Sequence, residues 1–220
     1  AIREYFAALG LLKRNEPISW YLSTPQELDH WAGTTVLLFG ISEDKARIYR
    51  EIVENGEDYH RLWLAAECLT NLMADEKALR QFKEEVASTP EEEALFHLVW
   101  GLACEAMGRF GEAIEHLEKA LRLKPNLAYA YYDLGWVYRQ LNQYPKAIAA
   151  LREAIRLKPS FVDAYNQLGI NYYEQGEYNR ALMVFQSAVA LEPDNPYHYY
   201  NVGFAYKMLG EYSKAEEAFL

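Results

Sequence analysis

The 220 residues carry 32 acidic and 22 basic side chains, a formal net charge of −10 that repels a phosphate backbone and makes nucleic acid an unexpected partner. Hydrophobic residues make up 51% and charged residues 25%, a balance too apolar for disorder. The longest apolar run, around Val36–Gly40, is far too short to cross a bilayer, so no membrane insertion is expected.

In chain order, residues 2–13 read as an amphipathic helix, followed by an irregular stretch over 15–25. Thr24-Pro25-Gln26-Glu27 places a cap, a proline and an acid at the start of a helix over 25–39. Ser42-Glu43-Asp44 opens another over 43–54, which Asn55-Gly56 closes. Residues 1–58 are therefore expected to be divergent helices packing on the helical array C-terminal to them. Residues 59–93 carry Leu62, Ala65, Ala66, Leu69, Ala78, Phe82 and Pro90, a worn copy of a pattern that becomes regular further on. Glu91, Glu92 and Glu93 after Thr89-Pro90 suit the first turn of a helix, where carboxylates complement the helix dipole.

From residue 94 the pattern repeats every 34 residues. Gly101, Gly135, Gly169 and Gly203 keep that spacing, as do Ala113, Ala147, Ala181 and Ala215. Leu117, Leu151, Phe185 and Phe219 come next, then Ala120, Ala154 and Ala188, and Pro125, Pro159 and Pro193 close the units. The small residues let two antiparallel helices approach closely. Tyr131, Tyr138 and Tyr144 recur at 165, 172, 178 and at 199, 206, 212, and are expected to bury ring area between helices. Short links such as Asn142-Gln143 and Gln175-Gly176-Glu177 turn one helix into the next, and each proline stops the second helix.

This register resembles the tetratricopeptide repeat family. The resemblance covers residues 94–220, with units 94–127, 128–161, 162–195 and a partial 196–220; residues 59–93 read as a degenerate repeat. It implies an all-α fold, a right-handed α-α superhelix or solenoid of helix pairs, each burying its apolar face only against its neighbours. Leu220 falls inside the second helix of the fourth unit. Further chain is expected beyond it, with self-association through the uncapped last repeat as the consequence to check.

The resemblance also implies that the first helix of each pair lines a concave groove. Transferred by register, the lining is Leu95, Leu98, Leu102 and Glu105, then Tyr129, Tyr132, Trp136 and Arg139. The third unit contributes Asp163, Asn166, Ile170 and Tyr173, and the fourth Tyr197, Tyr200, Phe204 and Lys207. Aromatic rings with polar tips supply contact area at low entropic cost, so a partner peptide or helix is expected there, with Tyr132 and Trp136 as anchors. Some members of the family clamp acidic chaperone tails with lysine, asparagine and arginine. The corresponding positions here, Leu98, Leu102, Asp133, Asp163 and Gln167, cannot form that clamp.

No phosphate loop, nucleophile elbow or paired zinc-ligand histidines are present, and His30, His60, His97, His116 and His198 are scattered. His97 stands in the Tyr131 column and reads as a core substitution. No enzyme, cofactor or metal is expected. Cys68 and Cys104 lie in helical patterns and read as buried thiols, which favours a cytoplasmic location. The function expected is a protein–protein interaction scaffold; the alternative is the targeting or regulatory region of a larger enzyme whose catalytic domain lies outside this chain.

Overall fold

The computed structural model describes residues 35–36, 39–40, 42–53, 58–70 and 72–219. The helix expected over 2–13 lies outside the described residues, as does most of that over 25–39. Among the described residues every regular element is a helix, and the chain divides into two compact units, Ala1–Pro125 and Asn126–Leu220. All-α helix pairs of the expected kind therefore make up the fold.

The N-terminal unit contains α1 (Lys45–Val53), α2 (Tyr59–Thr70), α3 (Glu76–Val86), α4 (Pro90–Ala106) and α5 (Phe110–Leu123). Several of these helices start where a side chain caps orphaned N–H groups. Asp44 Oδ1 accepts from the Arg47 N–H at 3.1 Å, and Asp75 Oδ1 accepts from the Lys77 and Ala78 N–H groups at 3.0 Å. Thr89 and Glu92 form a reciprocal capping box ahead of α4, with Pro90 in the first turn where its missing N–H costs nothing. Glu91, Glu92 and Glu93 lie in the first turn of α4, as expected, and the reciprocal box is an addition to that reading.

An aromatic cluster joins these helices. Phe82 of α3 meets Phe39 edge-on at 5.7 Å and Tyr49 of α1 at 5.4 Å, and Phe96 of α4 completes the group. Burial raises the Tyr49 hydroxyl and the Cys68 thiol far above their ordinary pKa values, and lifts Cys104 to about 11. Both thiols are inert packing groups, as expected. Helix α4 is the centre of the unit. It packs against α5, α2 and α3, and is apolar nearly all round: Phe96, Leu98, Val99, Leu102, Ala103 and Cys104 are all fully buried. His97 is buried too, in agreement with its reading as a core substitution.

The C-terminal unit is three helix pairs: α6 (Ala128–Gln140) with α7 (Tyr144–Leu157), α8 (Val162–Glu174) with α9 (Tyr178–Leu191), and α10 (Pro196–Met208) with α11 (Tyr212–Phe219). Successive pairs stack through α7 on α8 and α9 on α10. The glycine column explains how tightly each pair closes. A Cβ at Gly135 would stand 2.5 Å from Cγ of Leu151, and one at Gly169 would stand 2.6 Å from Cδ1 of Phe185. The second helices end at Leu157 and Leu191, just before Pro159 and Pro193.

A further column, at 108, 142, 176 and 210, holds the left-handed residue between the helices of each pair. Three are glycine; Asn142 takes the position at φ 56°, a conformation asparagine adopts more readily than other side chains, and its Oδ1 accepts from the Tyr144 hydroxyl at 3.0 Å. The tyrosine columns are less buried than expected. Tyr172 is buried, but Tyr131, Tyr138 and Tyr165 are half-buried, and Tyr199 and Tyr212 of the last pair are exposed. For Tyr199 and Tyr212 the reason is geometric: among the described residues no helix packs on the outer side of α10 and α11.

Candidate functional site

On α6, α8 and α10 the helical repeat places residues 132, 136 and 139, then 166, 170 and 173, then 200, 204 and 207, along one stripe of each helix. The 34-residue register makes these stripes equivalent. Tyr132, Trp136, Arg139, Ile170, Tyr173 and Phe204 are half-buried, whereas Tyr197 is 50% and Tyr200 52% exposed, and Lys207 is exposed.

Local packing holds the rings in place. Phe161, in the link before α8, lies 4.8 Å from the Tyr132 ring and meets Tyr129 edge-on at 5.1 Å. Lys158 donates to the Tyr129 hydroxyl at 2.7 Å, with its ammonium 4.6 Å from the same ring. Tyr173 packs on Tyr178 at 5.3 Å. Tyr200 and Phe204, one turn apart on α10, lie 4.5 Å from each other, and Phe219 of α11 closes the group from 5.7 Å behind Phe204. Pre-positioned rings lose little entropy when covered.

The charges of the stripe are few and occupied. Arg139 Nη1 reaches Glu174 Oε1 at 3.1 Å, tying α6 to α8, and Lys207 lies over the Phe204 ring at 6.0 Å. Asn166 is buried and contacts His198 Nδ1 at 3.2 Å; His198 Nε2 in turn contacts Glu192 Oε2 at 3.0 Å. Hydrogen bonds from His198 and Asn195 hold the Glu192 carboxyl below its ordinary pKa. A stripe of this kind can take an apolar or aromatic surface, and among the described residues it has no cluster of free cations to grip a carboxylate.

The lining expected from the register needs five corrections. Leu98 and Leu102 have no exposed surface at all, because the helices on either side of α4 enclose it; neither is available to a partner. Tyr129 is buried against Phe161 and Lys158, and Asn166 against His198, so both support the stripe from below. Glu105 is buried as well, whereas Leu95 is half-buried and Asp163 is exposed. Phe161 was missed, since it falls in an inter-helix link where the register assigns no lining. Its signal was an aromatic residue two positions after Pro159 where the other links carry Leu127 and Asn195.

Among the described residues no three His, Cys, Asp or Glu side chains are grouped as metal ligands, and no helix is long and apolar enough to cross a membrane.

A sequence profile of the tetratricopeptide repeat matches residues 91–160, and a second profile of the same repeat matches 171–210. No curated protein matches the chain by sequence. Among solved structures, a crystal structure of MamA superposes with a TM-score of 0.61 at 28% identity, covering 70% of this chain and 90% of that one. MamA residues 41 to the end from Desulfovibrio magneticus RS-1 superpose with a TM-score of 0.59 at 24% identity, covering 80% and 92%. BtubC from P. vanneervenii superposes with a TM-score of 0.67 at 18% identity, covering 87% of each chain, a likeness of fold.

Proposed function

We propose that this chain, which belongs to the tetratricopeptide-repeat family, holds a partner protein against the aromatic stripes of α6, α8 and α10. Protein–protein association is the general work of such repeats. The observation that carries the finer reading is the exposure of Tyr197 and Tyr200 beside the half-buried Tyr132, Trp136, Ile170, Tyr173 and Phe204. Large apolar rings in a contiguous patch mark interaction surfaces, and aromatic anchors concentrate binding energy. The partner chemistry that fits is an apolar or aromatic segment, either an amphipathic helix or an extended peptide.

The double substitution Tyr132→Ala with Trp136→Ala tests this. Crosslinking and mass spectrometry on native lysate should show the partners of the wild-type chain lost from the variant, with affinity for an identified partner falling about 30-fold or more. Far-UV circular dichroism checks that the helices persist. Capture of the same partners in equal amount by the variant would remove the stripe assignment.

A second reading, self-association through the last helix pair, rests on one feature. Asn166 of α8 is covered by His198 of α10, yet its counterpart 34 residues on, Tyr200, borders an open cavity of about 460 Å³ with Pro196, Tyr199 and Phe219. Sedimentation at rising concentration should then reveal a dimer that Tyr200→Glu weakens. A monomer at every concentration would rule this out.

A further inference from the structure

A cavity of about 530 Å³ opens in the N-terminal unit where α3, α4 and α5 meet. In a chain of net charge −10 its lining is cationic: Arg80 and Lys83 from α3, Lys119 from α5, and Arg109 just before α5. Among the described residues, two carboxylates stand against Lys83, Arg109 and Lys119. Glu112 pairs with Arg109, and Glu93 is shared by Lys83 at 2.8 Å and Lys119 at 3.5 Å.

The inner wall is a stack of three rings. His116 lies 4.2 Å from Trp100 and 5.0 Å from His97, with interplanar angles of 14° and 25°, and the two Nδ1 atoms are 2.8 Å apart. That bond needs one Nδ1 to donate and the other to accept. His97 is 2% exposed, and its Nε2 is buried without a hydrogen-bond partner, 3.6 Å from the Glu93 carboxylate. When His97 Nδ1 accepts, its proton sits on Nε2, and the Glu93 carboxylate at 3.6 Å is beyond hydrogen-bond distance of that donor. A buried donor in that state costs free energy unless an acceptor arrives.

Fold alone does not require this wall. At the same register the next two repeats carry Tyr131 and Tyr165, Leu134 and Leu168, and Ala150 and Val184 in place of His97, Trp100 and His116. The Lys119 position becomes Glu153 and Ser187. The cationic, histidine-walled cavity belongs to this repeat and not to those two.

We infer that this cavity is a binding site for an oxyanion, a phosphate or carboxylate group, gripped by Lys83, Arg109 and Lys119 and met by His97 Nε2 in the tautomer that carries its proton there. Arginine and lysine bind such groups by charge-assisted hydrogen bonds, and a partly buried setting strengthens them. The electrostatics of the wall agree. Burial and then Lys119 push His97 down to about 3 and His116 to about 4, so both rings are neutral near pH 7, with Lys83 adding to the effect at both and Arg109 at His116. A bound anion opposes the lysine contribution and raises both values.

The test is a nuclear magnetic resonance titration of the His97 and His116 ring signals in the whole chain, at constant ionic strength. One arm adds inorganic phosphate and the other a blocked hexaglutamate peptide. Saturable shifts of both rings with a rise in their pKa are expected in at least one arm. Response to phosphate alone identifies a free phosphate-type ligand; response to the peptide alone identifies an acidic segment of a partner protein. The Lys83→Gln, Lys119→Gln double variant should bind about tenfold more weakly or worse, while Arg180→Gln in the other unit changes nothing. A linear, unsaturated response of the wild-type chain in both arms overturns the site without recourse to any variant. So does a folded double variant that binds like wild type.

Discussion

Replacing Leu98 or Leu102 by alanine should each lower the stability of the N-terminal unit by about 2–5 kcal/mol. Both side chains have no exposed surface and lie on the helix that α2, α3 and α5 enclose. Truncation removes apolar atoms from the core and leaves a cavity that neighbours fill only in part. Tyr197→Ala and Tyr200→Ala provide the contrast. These rings are 50% and 52% exposed, so their loss should shift stability by only about 0.5–1 kcal/mol. Urea unfolding followed by circular dichroism distinguishes the two classes. Equal, small effects from all four substitutions would return Leu98 and Leu102 to the surface.

Gly169→Ala should cost the C-terminal unit about 1–3 kcal/mol, although alanine is the better helix former by about 1 kcal/mol. The new methyl would enter van der Waals space of the Phe185 ring, which is itself 2% exposed and cannot swing aside without displacing α9 from α8. Gly135→Ala meets the more pliable Leu151 and should cost less. Gly111→Ala meets nothing within 4 Å in the first turn of α5, and should stabilise by a few tenths to about 1 kcal/mol. Thermal unfolding of the three variants orders them. A Gly169→Ala variant as stable as wild type would mean that the close approach of α8 and α9 does not depend on the missing side chain.

The architecture was open to sequence reading because each column answers a local requirement that every repeat shares. Gly169 admits a neighbouring helix, Pro159 stops one, and the Thr89–Glu92 box starts one; none of these needs knowledge of distant chain. The left-handed turn column escaped notice because Asn142 replaces glycine in it, although asparagine meets the same backbone demand. The site was less accessible. Tyr132, Trp136 and Ile170 are placed by register, but their neighbours on the same helices, Tyr129 and Asn166, are claimed by Phe161, Lys158 and His198 from other segments.

Residue order alone specified the helices, their ends, the 34-residue stacking rhythm and the family, since these depend on periodicity, capping and steric size within a few turns of chain. Which faces of those helices remain open was decided only in three dimensions. Leu98 and Tyr132 are equivalent by register, yet one is enclosed and the other half-exposed, because burial depends on which segments pack from outside the repeat. The same holds for the cationic cavity. Arg80, Lys83, His97, Arg109, His116 and Lys119 come from three helices and the link before α5, and only their folding together brings the charges and the histidine rings to one place.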